Sequence, residues 1–313
     1  MTEAERALPQ DRLTDNIRLF AADVAAQNPV HKKFMDNALV RISGDEIRHL
    51  DAYIGFCLRK GLDIPYLAEC YLTIVSDTLR EQVYFQKNGR YRHARFDEVA
   101  SDVYFNPDYM RHYMYGLALT SFLWPNHLAM FSFFRKTLPV AEHGRYLEIG
   151  SGHGYYLMTA ALHSAYDSFL GVDISETSVA MTRELVAHYM KDRAAKPLEV
   201  QCLDFLAADL PEKSFDAVVM GEVLEHVERP ELFLRRIRDI AKDGAYIYVT
   251  TCINAPAVDH IYLFETVKQL EEMFAASGLA VREKLICPYE GKTLEQSVAQ
   301  RLAINVACVL GKV

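Results

Sequence analysis

One acid and three glycines on alternate positions, Glu148, Gly150, Gly152 and Gly154, are the residues whose types and spacing most clearly indicate chemistry. They follow an apolar run, residues 145–149, that predicts a buried strand. Glycine lacks the Cβ that keeps a ligand away from the backbone, and it adopts backbone angles that other residues avoid. The apolar residues after Gly154 predict a helix whose first N–H groups are free to bind the same ligand. The pattern therefore indicates a ligand-binding loop between a strand and a helix.

The spacing of these glycines differs from that of a dinucleotide-binding fingerprint. Gly-x-Gly-x-x-Gly would place its third glycine at position 155, where this chain has Tyr155. Acid-x-Gly-x-Gly-x-Gly resembles motif I of the class I methyltransferases, which use S-adenosylmethionine. That ligand carries a sulfonium and an amino group and has no pyrophosphate. The resemblance implies that Glu148 and the three glycines bind S-adenosylmethionine.

Two later segments extend this resemblance. An apolar run ends in Asp173 and Ile174, at the distance where a Rossmann-type sheet places a carboxylate against ribose hydroxyls. The family pattern implies that Asp173 binds the ribose and that Ile174 lies against the adenine. A third short strand is predicted to end in Asp204 and Phe205, which in the resembled family meet the adenine amino group and ring face.

A fourth apolar segment leads into Glu-Val-Leu-Glu-His-Val, residues 222–227. This run is similar to one found in ubiquinone-type and natural-product methyltransferases, and it adds Glu222 to the residues expected at the cofactor. The order and spacing of all four segments agree with the family. The resemblance covers residues 141–313.

Hydrophobic spacing predicts two domains of different class. Strands and helices alternate after residue 141, which is typical of an α/β fold. The resemblance implies a Rossmann-like, mostly parallel seven-strand sheet with helices on both faces and an antiparallel edge. Residues 1–140 show apolar residues at helical spacing and predict an all-α domain. Its helices are expected at residues 16–26, 43–60, 64–85 and 109–136. We interpret residues 1–140 as a helical cap that selects the substrate and residues 141–313 as the cofactor domain.

Aromatic residues in the helical part indicate how a cap could contribute to a site. Most of them are expected in the core, but tyrosine hydroxyls need partners, and aromatic faces attract a sulfonium. Trp124, Asn126 and His127 are expected to face the pocket, although His127 also suits a core position with a satisfied ring. Tyr91 lies in a basic cluster, residues 87–95, which is either a solvated loop or a site for a carboxylate or phosphate.

Methyl transfer is an in-line displacement at an activated carbon, so the protein mainly orients the reactants and excludes water. An oxygen acceptor needs a base, whereas a neutral amine can lose its proton afterwards. Candidate catalytic residues at predicted strand ends are His226, His260 and Tyr262, with Asn254 as a substrate contact. His226 also suits a structural role. The sequence shows no acidic cluster typical of a divalent metal site, so no metal is expected.

Charge and composition favour a small-molecule substrate. Residues 1–140 hold 17 Lys and Arg and 17 Asp and Glu, so the net charge of −8 lies entirely in the remainder. Proteins that bind nucleic acid usually present a basic surface, which argues against that partner class. Apolar stretches are interrupted by polar residues, and residues 1–6 are charged, so neither a membrane span nor a signal peptide is expected. Six scattered cysteines indicate reduced thiols and a cytoplasmic protein.

The sequence thus predicts an S-adenosylmethionine-dependent methyltransferase of secondary metabolism, acting on an oxygen, nitrogen or carbon of a natural-product or amino-acid-like metabolite. Two alternatives stay open. In one, the amino group of S-adenosylmethionine attacks its own side chain, releases methylthioadenosine and closes an azetidine ring. In the other, the chain binds the cofactor as a non-catalytic partner. The sequence does not indicate an oligomeric state.

Overall fold

The computed structural model describes residues 12–192 and 196–313. The chain forms two compact units, each of them discontinuous in sequence. The first runs up to Ser76 and includes His112–Leu128, and the second consists of Asp77–Arg111 and Ala129–Val313. This division does not coincide with the predicted boundary at residue 140. Residues 77–111 belong to the same compact unit as the sheet. The charged residues 1–6 lie outside the described part of the chain.

The described residues before the sheet form seven α-helices. They are α1 Asp15–Gln27, α2 Lys32–Arg41, α3 Gly44–Arg59, α4 Ile64–Asn88, α5 Asp97–Ala100, α6 Pro107–Leu123 and α7 Pro125–Thr137. The start of α3 shows why these segments are helical, because Ser43 and Glu46 form a reciprocal capping box with each other's backbone N–H groups. The prediction of one helix over residues 109–136 is wrong. Pro125 begins a new helix, since proline suits a first turn and disrupts a helix interior.

A single seven-strand sheet forms the core of the second unit. Its strands are β1 Arg145–Ile149, β2 Ser168–Asp173, β3 Leu198–Cys202, β4 Phe215–Gly221, β5 Ala241–Ile253, β6 Leu279–Cys287 and β7 Ile304–Lys312. Their order is β3-β2-β1-β4-β5-β7-β6. The first five strands pair in parallel, and β7 pairs antiparallel with both β5 and β6. The predicted seven-strand, mostly parallel Rossmann-like sheet is therefore confirmed.

Helices follow the strands in the alternation that the sequence predicts. They are α8 Tyr155–His163, α9 Glu176–Met190, α10 Pro230–Ile240, α11 Val267–Ala276 and α12 Leu294–Ala299. The chain changes direction across the sheet between β1 and β4, which are neighbours although they are not consecutive in sequence. In open α/β sheets a ligand binds beyond the carboxyl ends of the strands at such a switch point. A ligand-binding site is therefore expected at the loops after Ile149 and Gly221.

None of the helices in the described part of the chain combines the length and apolar character that crossing a bilayer requires.

Candidate active site

The loop after β1 places all three of its glycines in the left-handed region of backbone space. Their φ angles are +69° at Gly150, +50° at Gly152 and +82° at Gly154. Space is also restricted, because a Cβ on Gly150 would lie 2.5 Å from Cγ2 of Val223 and one on Gly154 would lie 3.0 Å from Cγ2 of Thr182. Backbone strain and crowding thus both require glycine. The result is a bare backbone surface at the start of α8.

The carboxylate of Asp173 fixes this loop to the end of β2. Its two oxygens accept hydrogen bonds from the backbone N–H groups of Gly152 and Ser175, each at 2.9 Å. A third hydrogen bond holds the loop, because the Thr182 hydroxyl donates to the Gly152 carbonyl at 2.9 Å. Asp173 is buried, and its burial raises the pKa of the carboxyl. Asp173, which is predicted to bind the ribose, therefore also determines the shape of the glycine loop.

The carboxylate of Glu148 lies beneath the loop and is almost completely buried. It accepts a hydrogen bond of 2.9 Å from the Tyr146 hydroxyl, and burial raises its pKa to about 8. These contacts support the loop from inside the domain. Direct contact between Glu148 and a cofactor stays a prediction.

The three residues expected at the adenine differ in their surroundings. Ile174 is partly exposed at the end of β2. Asp204 is exposed beyond β3 and accepts a hydrogen bond of 2.9 Å from the Leu206 N–H. Phe205 is buried in the core, with its ring centroid 5.5 Å from that of Phe233. Phe205 thus contributes to packing, and its contact with adenine stays a prediction.

Glu225 lies at the centre of a polar cluster beyond the ends of β4 and β5. Its side chain is fully buried, and its Oε2 accepts a hydrogen bond of 2.7 Å from the Thr251 hydroxyl. Its carbonyl accepts from the N–H groups of Ile261 and Tyr262 at 2.8 and 3.0 Å. The loop after β5 is therefore attached to the short 3-10 helix, Leu224–His226, that follows β4.

His226 and Asp259 form an ion pair within this cluster. The His226 Nδ1 lies 3.3 Å from Asp259 Oδ2, which also accepts a hydrogen bond of 3.0 Å from the Tyr104 hydroxyl. Burial alone would lower the pKa of His226, but the Asp259 carboxylate outweighs it and raises that pKa to about 9. Although burial opposes it, the same pairing lowers the pKa of Asp259. His226 is therefore protonated at neutral pH and cannot accept a proton there.

His260 packs edge-on against His226, with ring centroids 4.7 Å apart, but it has the opposite character. Its Nδ1 lies 2.6 Å from the Ala255 carbonyl, so Nδ1 carries the proton and Nε2 keeps its lone pair. Burial lowers the pKa of His260, as does the charge of His226. Tyr91 holds the same loop, because its hydroxyl accepts a hydrogen bond of 3.2 Å from the Ala255 N–H.

Glu222 and Asn254 follow β4 and β5, and both have a φ of +50°, which is strained for residues other than glycine. Glu222 Oε2 accepts a hydrogen bond of 3.4 Å from the Asn305 amide. Burial and the charge of Glu225 raise the pKa of Glu222 to about 8. Asn254 donates to the Glu265 carbonyl at 3.1 Å, while its own Oδ1 is buried without a hydrogen-bond partner.

The side chains of the remaining predicted site residues make other contacts. The Tyr262 ring packs on Phe264, with centroids 4.7 Å apart, so its backbone rather than its hydroxyl supports Glu225. Trp124, Asn126 and His127 belong to the first compact unit. There the Trp124 indole donates to the Tyr71 hydroxyl at 3.3 Å, and His127 Nδ1 lies 2.9 Å from the Thr120 hydroxyl. That they face the cofactor pocket stays a prediction.

Comparison with known proteins agrees with this geometry. Residues 147–249 match a protein family described as "Methyltransferase domain". This part of the chain is similar to methyltransferase domains. The ubiquinone biosynthesis O-methyltransferase of Chromobacterium violaceum is 31% identical over 107 residues, which are 34% of this chain and 43% of the relative. The same enzyme of Xanthomonas campestris is 31% identical over 123 residues, which are 39% and 48% of the two chains. The chain thus spans less than half the length of these curated relatives.

One solved structure illustrates the shared fold. Phosphoethanolamine N-methyltransferase 2 of Haemonchus contortus, in complex with S-adenosyl-L-methionine, superposes with a TM-score of 0.51. The match covers 71% of this chain and 60% of that one, at 16% identity. At this identity the likeness shows a common fold and nothing further.

Two residues of the site were missed by sequence reasoning. Aromatic residues of the helical part are mostly expected in the core, yet the Tyr104 hydroxyl binds Asp259 in the loop after β5. Thr251, inside β5, holds Glu225. A usable signal exists for Tyr104, since a buried tyrosine needs a partner for its hydroxyl. The sequence gives no such signal for Thr251, because threonine is common in strands.

The His226–Asp259 pair should make stability depend on pH. A histidine whose folded pKa is raised to about 9 stabilises the fold fully below its ordinary pKa of 6.5, and that contribution is lost as the pH rises through about 9. We expect the wild type to exceed Asp259→Asn in free energy of unfolding at about pH 6 and the excess to shrink towards about pH 10. Denaturant unfolding of both proteins at both pH values measures this difference in free energy of unfolding. A difference that stays constant over this range would show that the pair does not titrate.

Proposed function

We propose that this protein transfers a methyl group from S-adenosylmethionine to a small natural-product or amino-acid-like acceptor. The observation that carries the proposal is the glycine loop, whose bare backbone at the switch point of the sheet is fixed by Asp173. A Cβ at Gly150 would enter the space of Val223, so the loop also borders the segment that carries Glu222 and Glu225. Cofactor loop and polar cluster are thus neighbours.

The residues of this loop fit S-adenosylmethionine. When bound, that cofactor supplies a methyl carbon activated by a sulfonium. Asp173 would accept hydrogen bonds from the ribose hydroxyls, and the bare backbone of Gly150 and Gly152 would let the ligand approach closely. The chain's own contribution to the reaction is to orient the two reactants and to exclude water.

His260 is the residue best suited to take a proton from the acceptor. Its neighbour His226 is already protonated, whereas His260 is neutral and keeps Nε2 unprotonated. Tyr91 and the Ala255 backbone fix the loop from which it projects. We therefore assign general-base catalysis to His260 and a positioning role to His226.

The acidic balance of residues 141–313 supports a small molecule over a nucleic acid as the acceptor, since phosphate groups would be repelled. The free cysteines of the described residues fit a reducing compartment such as the cytoplasm.

One incubation tests the proposed function. The protein is mixed with S-adenosylmethionine, with and without candidate acceptors, and the products are identified by mass spectrometry. S-adenosylhomocysteine that appears only with an acceptor supports methyl transfer. Methylthioadenosine formed without any acceptor would replace the proposal with cyclisation of the cofactor. No product under any condition, with cofactor binding intact, would identify a non-catalytic binding partner.

Turnover should be insensitive to chelators, although the structure brings possible metal ligands together. Ligand atoms of Glu225, His226 and His260 lie within 4.8 Å of one another, as do those of Glu222, Glu225 and Cys252. A metal would have to displace a proton from one donor of each group, because Asp259 raises the pKa of His226 and burial raises the pKa of the Cys252 thiol. Structural and catalytic zinc sites need three or more protein ligands. We expect unchanged turnover after dialysis against EDTA, and a loss that added Mg²⁺ or Zn²⁺ restores would contradict this assignment.

A further inference from the structure

An arginine pair, Arg80 and Arg92, is held by one buried acid in the second compact unit. The side chain of that acid, Glu81, is 3% exposed. Its Oε1 accepts a hydrogen bond of 3.2 Å from Nε of Arg80, and its Oε2 accepts one of 2.9 Å from Nε of Arg92. Arg92 also lies over the ring of Tyr84, with its guanidinium carbon 4.2 Å from the ring centroid. The two guanidinium groups are therefore fixed near each other in spite of their like charge.

The acids of this cluster are satisfied, whereas the arginines are not. Asp77 accepts a hydrogen bond of 2.6 Å from the Tyr109 hydroxyl, and its second oxygen lies 3.0 Å from Nη1 of Arg80. A guanidinium has five N–H donors, and these carboxylates engage only some of them. Arg92 is held through Nε, so its two terminal nitrogens have no partner among the described residues. The side chains of Arg80 and Arg92 stay 59% and 39% exposed, so the unused N–H groups can be reached from solvent.

Such a pair is suited to bind an anion. Ordering a free arginine side chain costs conformational entropy, but Glu81 and Tyr84 already order that of Arg92. The terminal N–H groups of a guanidinium match two oxygens of a carboxylate or phosphate. Lys87 and Arg90 follow on the same segment, are exposed and have no carboxylate partner in the part of the chain that the structure describes. The region thus keeps an excess of positive charge.

The arginine pair borders the loop after β5. Arg92 directly follows Tyr91, whose hydroxyl accepts a hydrogen bond of 3.2 Å from the backbone of that loop. Burial raises the pKa of Tyr109, and the charges of Asp77 and of Asp259 in that loop raise it further. Ligands of open α/β sheets bind beyond the carboxyl ends of the strands. An anion held by the pair would therefore lie beside the position expected for the acceptor.

We propose that Arg80 and Arg92 bind the oxyanion of a small molecule, a carboxylate or a phosphate. Two molecules can supply this group: the acceptor, through an acid group of its own, or a free inorganic anion that regulates the protein. In the first case the proposal rests on the proposed function and narrows its substrate class to acids.

Calorimetry with inorganic phosphate at constant ionic strength tests the site. The wild type should bind phosphate saturably, and both Arg80→Gln and Arg92→Gln should bind it about 10-fold or more weakly, since charge-assisted hydrogen bonds are lost. Arg95→Gln is the matched control, because Arg95 belongs to the same basic cluster and pairs with the exposed Asp97. The control should match the wild type. No saturable binding to the wild type, or an equal loss in Arg95→Gln, would overturn the proposal.

An inhibition experiment separates the two sources. If the oxyanion belongs to the acceptor, phosphate should compete with the acceptor that forms S-adenosylhomocysteine in the incubation above. Arg92→Gln should then raise the KM for that acceptor about 10-fold or more and leave kcat little changed. If the ligand is a free anion, phosphate should bind without competing. Phosphate binding needs no turnover, so a protein without activity would contradict the proposed function while the anion site is still tested.

Arg92→Lys controls for the structural role of the pair. Removing Arg92 leaves the buried Glu81 with less compensation, so Arg92→Gln can be destabilised. Lysine keeps a cation against Glu81 but lacks the planar fork that presents further N–H groups outward. Arg92→Lys should therefore unfold like the wild type and still bind phosphate more weakly, as Arg92→Gln does. Full phosphate affinity in a folded Arg92→Lys would assign Arg92 to structure alone and overturn the proposal.

Discussion

Replacing Gly152 with Val should abolish binding of S-adenosylmethionine while the protein stays folded. Gly152 has a φ of +50°, where a β-branched residue is strongly strained. Its N–H binds Asp173 and its carbonyl binds Thr182, so any relief of that strain breaks the contacts that shape the loop. Isothermal titration calorimetry measures the affinity, and thermal unfolding shows whether the fold is retained.

Gly244→Val is the matched control for this variant. Gly244 has a φ of +81°, and a Cβ there would meet no atom within 4 Å. It lies near the start of β5, whereas ligands bind beyond the carboxyl ends of the strands. The control therefore suffers the backbone strain without disturbing the glycine loop. Undiminished affinity in Gly152→Val would show that the loop does not bind the cofactor.

The glycine loop could be predicted from sequence because its determinants are local. An apolar strand, alternate glycines and an apolar helix follow one another within residues 145–163, and the structure shows each of them in place. The seven strands could be anticipated for the same reason. Boundaries were less certain, since β3 ends at Cys202 and so leaves Phe205 beyond the strand. Whether such a residue packs in the core or contacts a ligand depends on tertiary structure.

The state of the histidines could not be predicted from sequence. The sequence places His226 and His260 at strand ends, but their protonation is set by partners from elsewhere in the chain. Asp259 lies 33 residues after His226, and Tyr104 lies 155 residues before Asp259. Since Tyr104 belongs to residues 77–111, the cluster depends on a segment that helical spacing assigned to a separate cap. From the sequence alone, the two rings are therefore equivalent candidates for the base.

Replacing His260 with Ala should lower turnover by about 10²-fold or more at neutral pH, with little change in affinity for S-adenosylmethionine. His260 is neutral there, and its free Nε2 lone pair can accept the proton of the acceptor. Because burial lowers the pKa of His260, the wild-type rate should fall only as the pH drops below the ordinary histidine range. Single-turnover rates measured against pH give both the loss of turnover in the variant and the pH dependence of the wild-type rate.

His226→Asn gives the contrast that decides between the two histidines. His226 is charged through Asp259 and supports the loop, so its loss should reduce stability without removing the acidic limb of the pH–rate profile. If His260→Ala keeps wild-type turnover and His226→Asn does not, the two assignments are exchanged. If both variants keep it, neither ring removes a proton. The cluster then acts through positioning alone, as an amine that arrives already neutral would permit, because such a nucleophile can lose its proton after the carbon–sulfur bond has broken.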